Sequence, residues 1–122
     1  MSENTMFGYA ERLVIDDSDT CTGASITTLK SGTVPPGELW IVESFVVLHD
    51  NAETKKVLMA ADISGTVHYI TGELAIPSDK WYGGPTSVTM AAGEWLAARF
   101  YDMDEGDLVR LRAQGYIMKV PE

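Results

Sequence analysis

One eight-residue phrase occurs twice in this chain. Val34-Pro35-Pro36-Gly37-Glu38-Leu39-Trp40-Ile41 returns as Met90-Ala91-Ala92-Gly93-Glu94-Trp95-Leu96-Ala97, with Gly37 and Gly93 fifty-six positions apart. Each copy reads as a tight turn, an acidic residue at its exit, and an aromatic-aliphatic run entering a strand. Glycine allows the positive φ that such turns demand. A weaker third copy is Glu105-Gly106-Asp107-Leu108-Val109. Turn-then-strand units that repeat at this interval predict an antiparallel β-sandwich built from two related halves.

The remaining segments agree with that class. A first strand is expected over Ala10 to Ile15, closed by an acidic turn at Asp16-Asp17-Ser18-Asp19, and a second over Ala24 to Lys30. The run Leu39 to Leu48 is apolar on both alternating faces. That pattern calls either for a bulge that swaps faces or for a cover on the outer side, and the second reading is preferred. Further strands are expected at Lys55 to Asp62, Thr66 to Thr71, Leu74 to Ile76, Thr86 to Met90, Glu94 to Tyr101 and Asp107 to Val120. In the last, Val109, Leu111 and Ala113 alternate with Arg110, Arg112 and Gln114, and Gly115 marks an expected bulge. Lys55 and Lys56 are placed as guards of an exposed sheet edge. The expected fold is therefore all-β: a single-domain antiparallel β-sandwich or jelly roll of about eight strands, residues 10–122, preceded by an extended N-terminal arm, residues 1–9.

Composition narrows the function. The chain has 122 residues, enough for one core and not two. Nine Lys and Arg against eighteen Asp and Glu leave a formal charge of −9, which argues against nucleic acid as a partner. No apolar run is long enough to span a membrane, and the first residues carry neither the cationic nor the apolar part of a secretion signal. Synthesis in a cytoplasm is the expectation.

No motif announces a reaction. Cys21 is a lone cysteine without a histidine near it in sequence, and no Gly-x-Ser-x-Gly elbow occurs. His49 and His68 lack the His-x-His pairing of cupin metal sites, so they read as surface or interface residues, and no metal or cofactor is expected. Asp102-Met103-Asp104-Glu105-Gly106-Asp107 superficially mimics a calcium loop but lacks the distal bidentate glutamate, so it reads as a polar turn. Trp81 and Tyr82 beside Gly83-Gly84-Pro85 stand out as an aromatic loop, either folded inward or presented to a protein or a sugar.

Taken together, the opening Val34-Pro35-Pro36-Gly37-Glu38-Leu39-Trp40-Ile41-Val42-Glu43-Ser44 and the later Ala92-Gly93-Glu94-Trp95-Leu96 and Gly106-Asp107-Leu108-Val109-Arg110-Leu111 resemble small structural proteins of tailed bacteriophages. The likeness spans residues 33 to 113. It implies a capsid decoration (cement) protein, non-enzymatic, on the virion surface, bound to the major capsid protein and stabilising the head as a trimer. It carries over no contact residue. The residues' own chemistry nominates Met6, Phe7 and Tyr9 in the arm, Phe45 in the two-faced strand, and Trp81 and Tyr82 as the interface. The alternative is a tail, neck or fibre-associated module that holds a glycan through the Trp81/Tyr82 loop.

Overall fold

The computed structural model describes residues 11–120, so the predicted arm, with Met6, Phe7 and Tyr9, lies outside the described residues. Nine strands run in chain order: β1 (Glu11–Thr20), β2 (Ile26–Lys30), β3 (Glu38–His49), β4 (Lys55–Ile63), β5 (Thr66–Tyr69), β6 (Leu74–Ile76), β7 (Tyr82–Met90), β8 (Trp95–Tyr101) and β9 (Leu108–Lys119). They form two antiparallel sheets. The front sheet has the order β1-β9-β3-β7, the back sheet β2-β8-β4-β5, and the short β6 pairs with β4. Apart from the β4-β5-β6 run, every connection crosses from one sheet to the other. That interleaving is the jelly roll, the double-sheet solution used by viral capsid and lectin domains and by cupins.

The repeated phrase explains its own acid. Gly37, Gly93 and Gly106 hold φ of 80°, 86° and 92°, a region that penalises any Cβ. In the second copy the Ala91 amide donates to Glu94 Oε1 at 2.6 Å. In the third, the Asp104 amide donates to Asp107 Oδ2 at 2.7 Å. Each carboxylate thus caps the amide three residues before it. In the first copy that position is Pro35, which has no N–H. Glu38 instead accepts from Trp40 Nε1 at 2.9 Å and from Lys119 Nζ at 2.6 Å. The two strong copies also clasp each other: the Val34 amide donates to Glu94 O, and the Gly93 amide to Val34 O.

Between the sheets lies an apolar core. Val109, Leu111 and Ala113 of β9 point inward as their alternation predicted, opposite Leu96, Ala98 and Phe100 of β8. The strand β3 carries the face-swapping bulge and not an outer cover. Its register slips between Val42 and Ser44 against both β7 and β9, so Glu43 is an extra, bulged residue. Val42 faces inward before the bulge, and Phe45, Val47 and His49 face inward after it. Phe45, nominated for an outer interface, is 1% exposed and belongs to the core. No second molecule is needed to explain the two apolar faces.

The bulge sits opposite Gly115, on β3 and not on β9 as expected. A methyl built at Gly115 would overlap the Ile41 carbonyl oxygen and bring Val42 Cα to 3.0 Å. Only glycine lets the two backbones close here.

Two edges also depart from expectation. The acidic segment is no turn, because β1 continues through Thr20 with Asp16 beside Arg112 and Ser18 beside Arg110. These cross-strand cations offset the carboxylate charge that had argued for a turn. Lys55 and Lys56 do not guard an edge, since β4 lies inside the back sheet and Lys55 Nζ donates to Asp102 O. The acidic β1 and Pro85 in β7 occupy the exposed edges of the front sheet instead.

Candidate interaction surface

The outer face of the front sheet gathers the side chains best suited to a partner. Along β9, Arg110, Arg112, Gln114 and Tyr116 face outward, the inverse of the buried set. Cross-strand register brings Asp16 of β1 and Val46 of β3 to either side of Arg112. Arg112 Nη2 donates to Asp16 Oδ2 at 3.0 Å, and Arg110 Nη2 approaches Asp16 Oδ1 at 3.4 Å. The Arg112 hydrogen bond is the main reason the Asp16 carboxyl titrates below its ordinary value.

Trp81 completes this ridge from the opposite edge. It precedes β7, and its ring reaches across β3 to lie 4.7 Å from the Arg112 guanidinium and 5.4 Å from that of Arg110. Two guanidiniums are thereby held between an indole and a carboxylate, each with its planar fork pre-oriented. Tyr82, the next residue, turns the other way. It is paired with inward-facing Val47 and lines an apolar groove of about 320 Å³ with Phe45, Met59, Ile70 and Leu74 at the open edge of the sandwich. Trp81 and Tyr82 therefore do not form one platform, because consecutive residues of extended chain face opposite sides.

At the other end of the same face the bulge leaves a depression of about 380 Å³ bounded by Arg12, Glu43, Gln114 and Tyr116. Bulges commonly re-aim a side chain in this way. Exposed apolar groups run along this face from ridge to depression: Trp81 is 37% exposed, Val14 57% and Tyr116 44%. Trp, Tyr and Arg are the residue types that dominate binding energy at protein interfaces. Sequence reasoning found Trp81 but missed Arg110, Arg112, Asp16 and Val14, which become neighbours only through pairing of β1 and β7 with distant strands.

The groups considered for chemistry are otherwise engaged. His49, expected at a surface, is fully buried. Its Nδ1 accepts from the Asn51 amide at 3.1 Å, so its Nε2–H donates to Ile76 O at 2.9 Å. Asn51 in turn donates to Asp104 and Asp107, tying the polar turn to the end of β3. His68 stands exposed on β5. Among the described residues no three His, Cys, Asp or Glu side chains are grouped to hold a metal. Cys21 is buried and free, and burial pushes its thiol up.

No family model matches the sequence, and no curated protein matches it. Some solved structures are similar at low identity, each with a TM-score below 0.5. One is a structure of infectious bursal disease virus Gx strain (9% identity, TM-score 0.48, covering 88% of this chain and 30% of that one). A second is a pentameric capsid protein from metagenomic phage sequences (18% identity, TM-score 0.38, 87% and 60% covered). A third is the C-terminal CBM6 of LamC, a laminarinase of Zobellia galactanivorans (17% identity, TM-score 0.36, 89% and 100% covered). The chain spans about a third of the first and under two thirds of the second.

Proposed function

We propose that this chain is a non-enzymatic structural protein of a virus particle, a capsid decoration protein that binds the major capsid protein through the outer face of its front sheet. The observation that carries an interaction role is the Trp81–Arg110/Arg112–Asp16 ridge, set beside exposed Val14 and Tyr116 on a sheet face that no other element among the described residues covers. The shell as partner follows the sequence resemblance over residues 33 to 113.

The physical logic is additive. A stable protein interface buries about 1,600 Å² in total, and one face of a four-stranded sheet is of the right order to supply half. Many copies on a lattice then reinforce one another through effective concentration. A trimer would multiply the same gain. The glycan reading loses its original platform, because two guanidiniums occupy the Trp81 ring and Tyr82 faces away.

The test uses expanded empty heads of the phage that encodes the protein. Wild-type protein is expected to co-sediment with them and raise their resistance to heat. Trp81→Ala with Arg112→Glu is expected to lower occupancy tenfold or more while the free protein still melts cooperatively. The proposal fails if wild-type protein leaves the heads unbound, or if the double variant binds as wild type does. Light scattering of the free protein tests the trimer.

A further inference from the structure

The outer face of the back sheet has a charge opposite to that of the chain. Its outward positions alternate with the core set Val57, Met59 and Ala61, and they include Lys30 of β2, Lys56 of β4 and Arg99 of β8 against one carboxylate, Asp62. A chain of net charge −9 thus presents a locally cationic patch. None of the three cations is ion-paired among the described residues, where the salt bridges use Lys55, Arg110, Arg112 and Lys119.

The patch is also hollow. Register aligns Lys30, Ala97, Ala60 and Tyr69 in one row across four strands, with Trp95 and Asp62 in the row on one side of it and Arg99 in the row on the other. The two alanines make a low floor, and the larger neighbours stand above it. The result is a trough of about 410 Å³, within the ~300–1,000 Å³ usual for small-ligand sites. From the Trp95 row to the Arg99 row is about 13 Å at strand rise, room for one or two sugar rings. Lys30 Nζ lies 4.8 Å from the centre of the Trp95 ring, so the ammonium is already placed at the aromatic wall. On the β5 side the trough is bounded by Val67, which is 40% exposed.

We infer that this trough binds an acidic saccharide, a hexuronate unit within an oligosaccharide. The apolar face of the sugar ring fits the methyl floor of Ala60 and Ala97 beside exposed Val67. Its carboxylate meets Lys30 or Arg99, and its hydroxyls meet Asp62 and the Thr28 hydroxyl. A neutral sugar would leave the cations unanswered, and a bare anion would leave the apolar floor unused. The site is independent of the front-sheet ridge, so either reading can fail alone.

The experiment titrates oligogalacturonate and oligoglucuronate hexamers into the protein by calorimetry and amide NMR, beside a neutral oligogalactose of equal length. At least one uronate is expected to bind and to shift amides of residues 28–30, 60–62 and 95–99, at least tenfold more tightly than the neutral oligomer, and more weakly as salt rises. Lys30→Gln with Arg99→Gln should weaken binding tenfold or more. Ala97→Leu should abolish it by filling the floor, while Trp81→Ala leaves it unchanged. Absence of binding by both uronates at millimolar concentration overturns the inference. So does equal affinity for the neutral oligomer, or unchanged binding by the Lys30/Arg99 variant, which keeps the test decisive should Ala97→Leu misfold.

Discussion

Replacing Phe45 with alanine tests the face-swapping bulge in β3. Phe45 is 1% exposed and belongs to the core cluster between the sheets, with Met59 beside it at the groove. Truncating a fully buried phenylalanine costs about 3–5 kcal/mol, part lost transfer energy and part cavity. For a domain of this size each kcal/mol moves the melting temperature by roughly 4 °C, so Phe45→Ala should melt about 12–20 °C lower. The comparison that isolates the bulge is Val47→Ala against Val46→Ala. Val47 is 1% exposed and inward, whereas Val46 faces outward beside Arg112. Removing two buried methyls at ~0.8 kcal/mol each, plus a cavity, gives about 2–3 kcal/mol for Val47. Val46→Ala should cost under about 1 kcal/mol. Urea denaturation, read by intrinsic fluorescence and far-ultraviolet dichroism together, supplies the numbers. If Val46→Ala costs more than Val47→Ala, or Phe45→Ala costs less than about 1 kcal/mol, the register assigned to β3 is wrong.

Gly115→Ala should lose several kcal/mol, since a Cβ meets immovable backbone of Ile41 and Val42 and separates two paired strands; a melting change of less than about 4 °C, the equivalent of ~1 kcal/mol, would contradict that close approach. His49→Phe strands the Asn51 amide and the Ile76 carbonyl in the interior, and chemical denaturation should show a loss of about 2–4 kcal/mol, one to two unsatisfied buried groups. Asp16 and Glu38 titrate below their ordinary values, held there chiefly by Arg112 and Lys119 respectively. Their contribution to stability is therefore complete above the ordinary carboxylate range and is lost as pH falls through their folded values. Asp16→Asn should flatten the acid limb of a stability-against-pH curve, and an unchanged limb would rule Asp16 out. Lys119 titrates above its ordinary value because of Glu38, so its share persists below the ordinary lysine range and disappears only as pH rises through its folded value; Lys119→Met should remove that alkaline loss.

What could be read from the chain alone was whatever depends on neighbours in sequence. Alternation in β9 named Val109, Leu111 and Ala113 as interior, and the twice-written turn named the glycines that hold positive φ. The double-layer class followed from those two facts. Local pattern failed at β3, because a bulge belongs to a pair of strands: Glu43 is extruded where β9 supplies Gly115, seventy-two positions later. It failed at Asp16 for the same reason, since an acidic run resembles a turn until Arg110 and Arg112 are set beside it. The ridge over Trp81 and the cationic trough over Ala60 and Ala97 are likewise products of register, which places side chains from four strands in one row while leaving them dozens of residues apart in the chain. Sequence decided which residues prefer to be hidden and where the chain can turn; pairing between distant strands decided which of the remaining ones stand together at the surface.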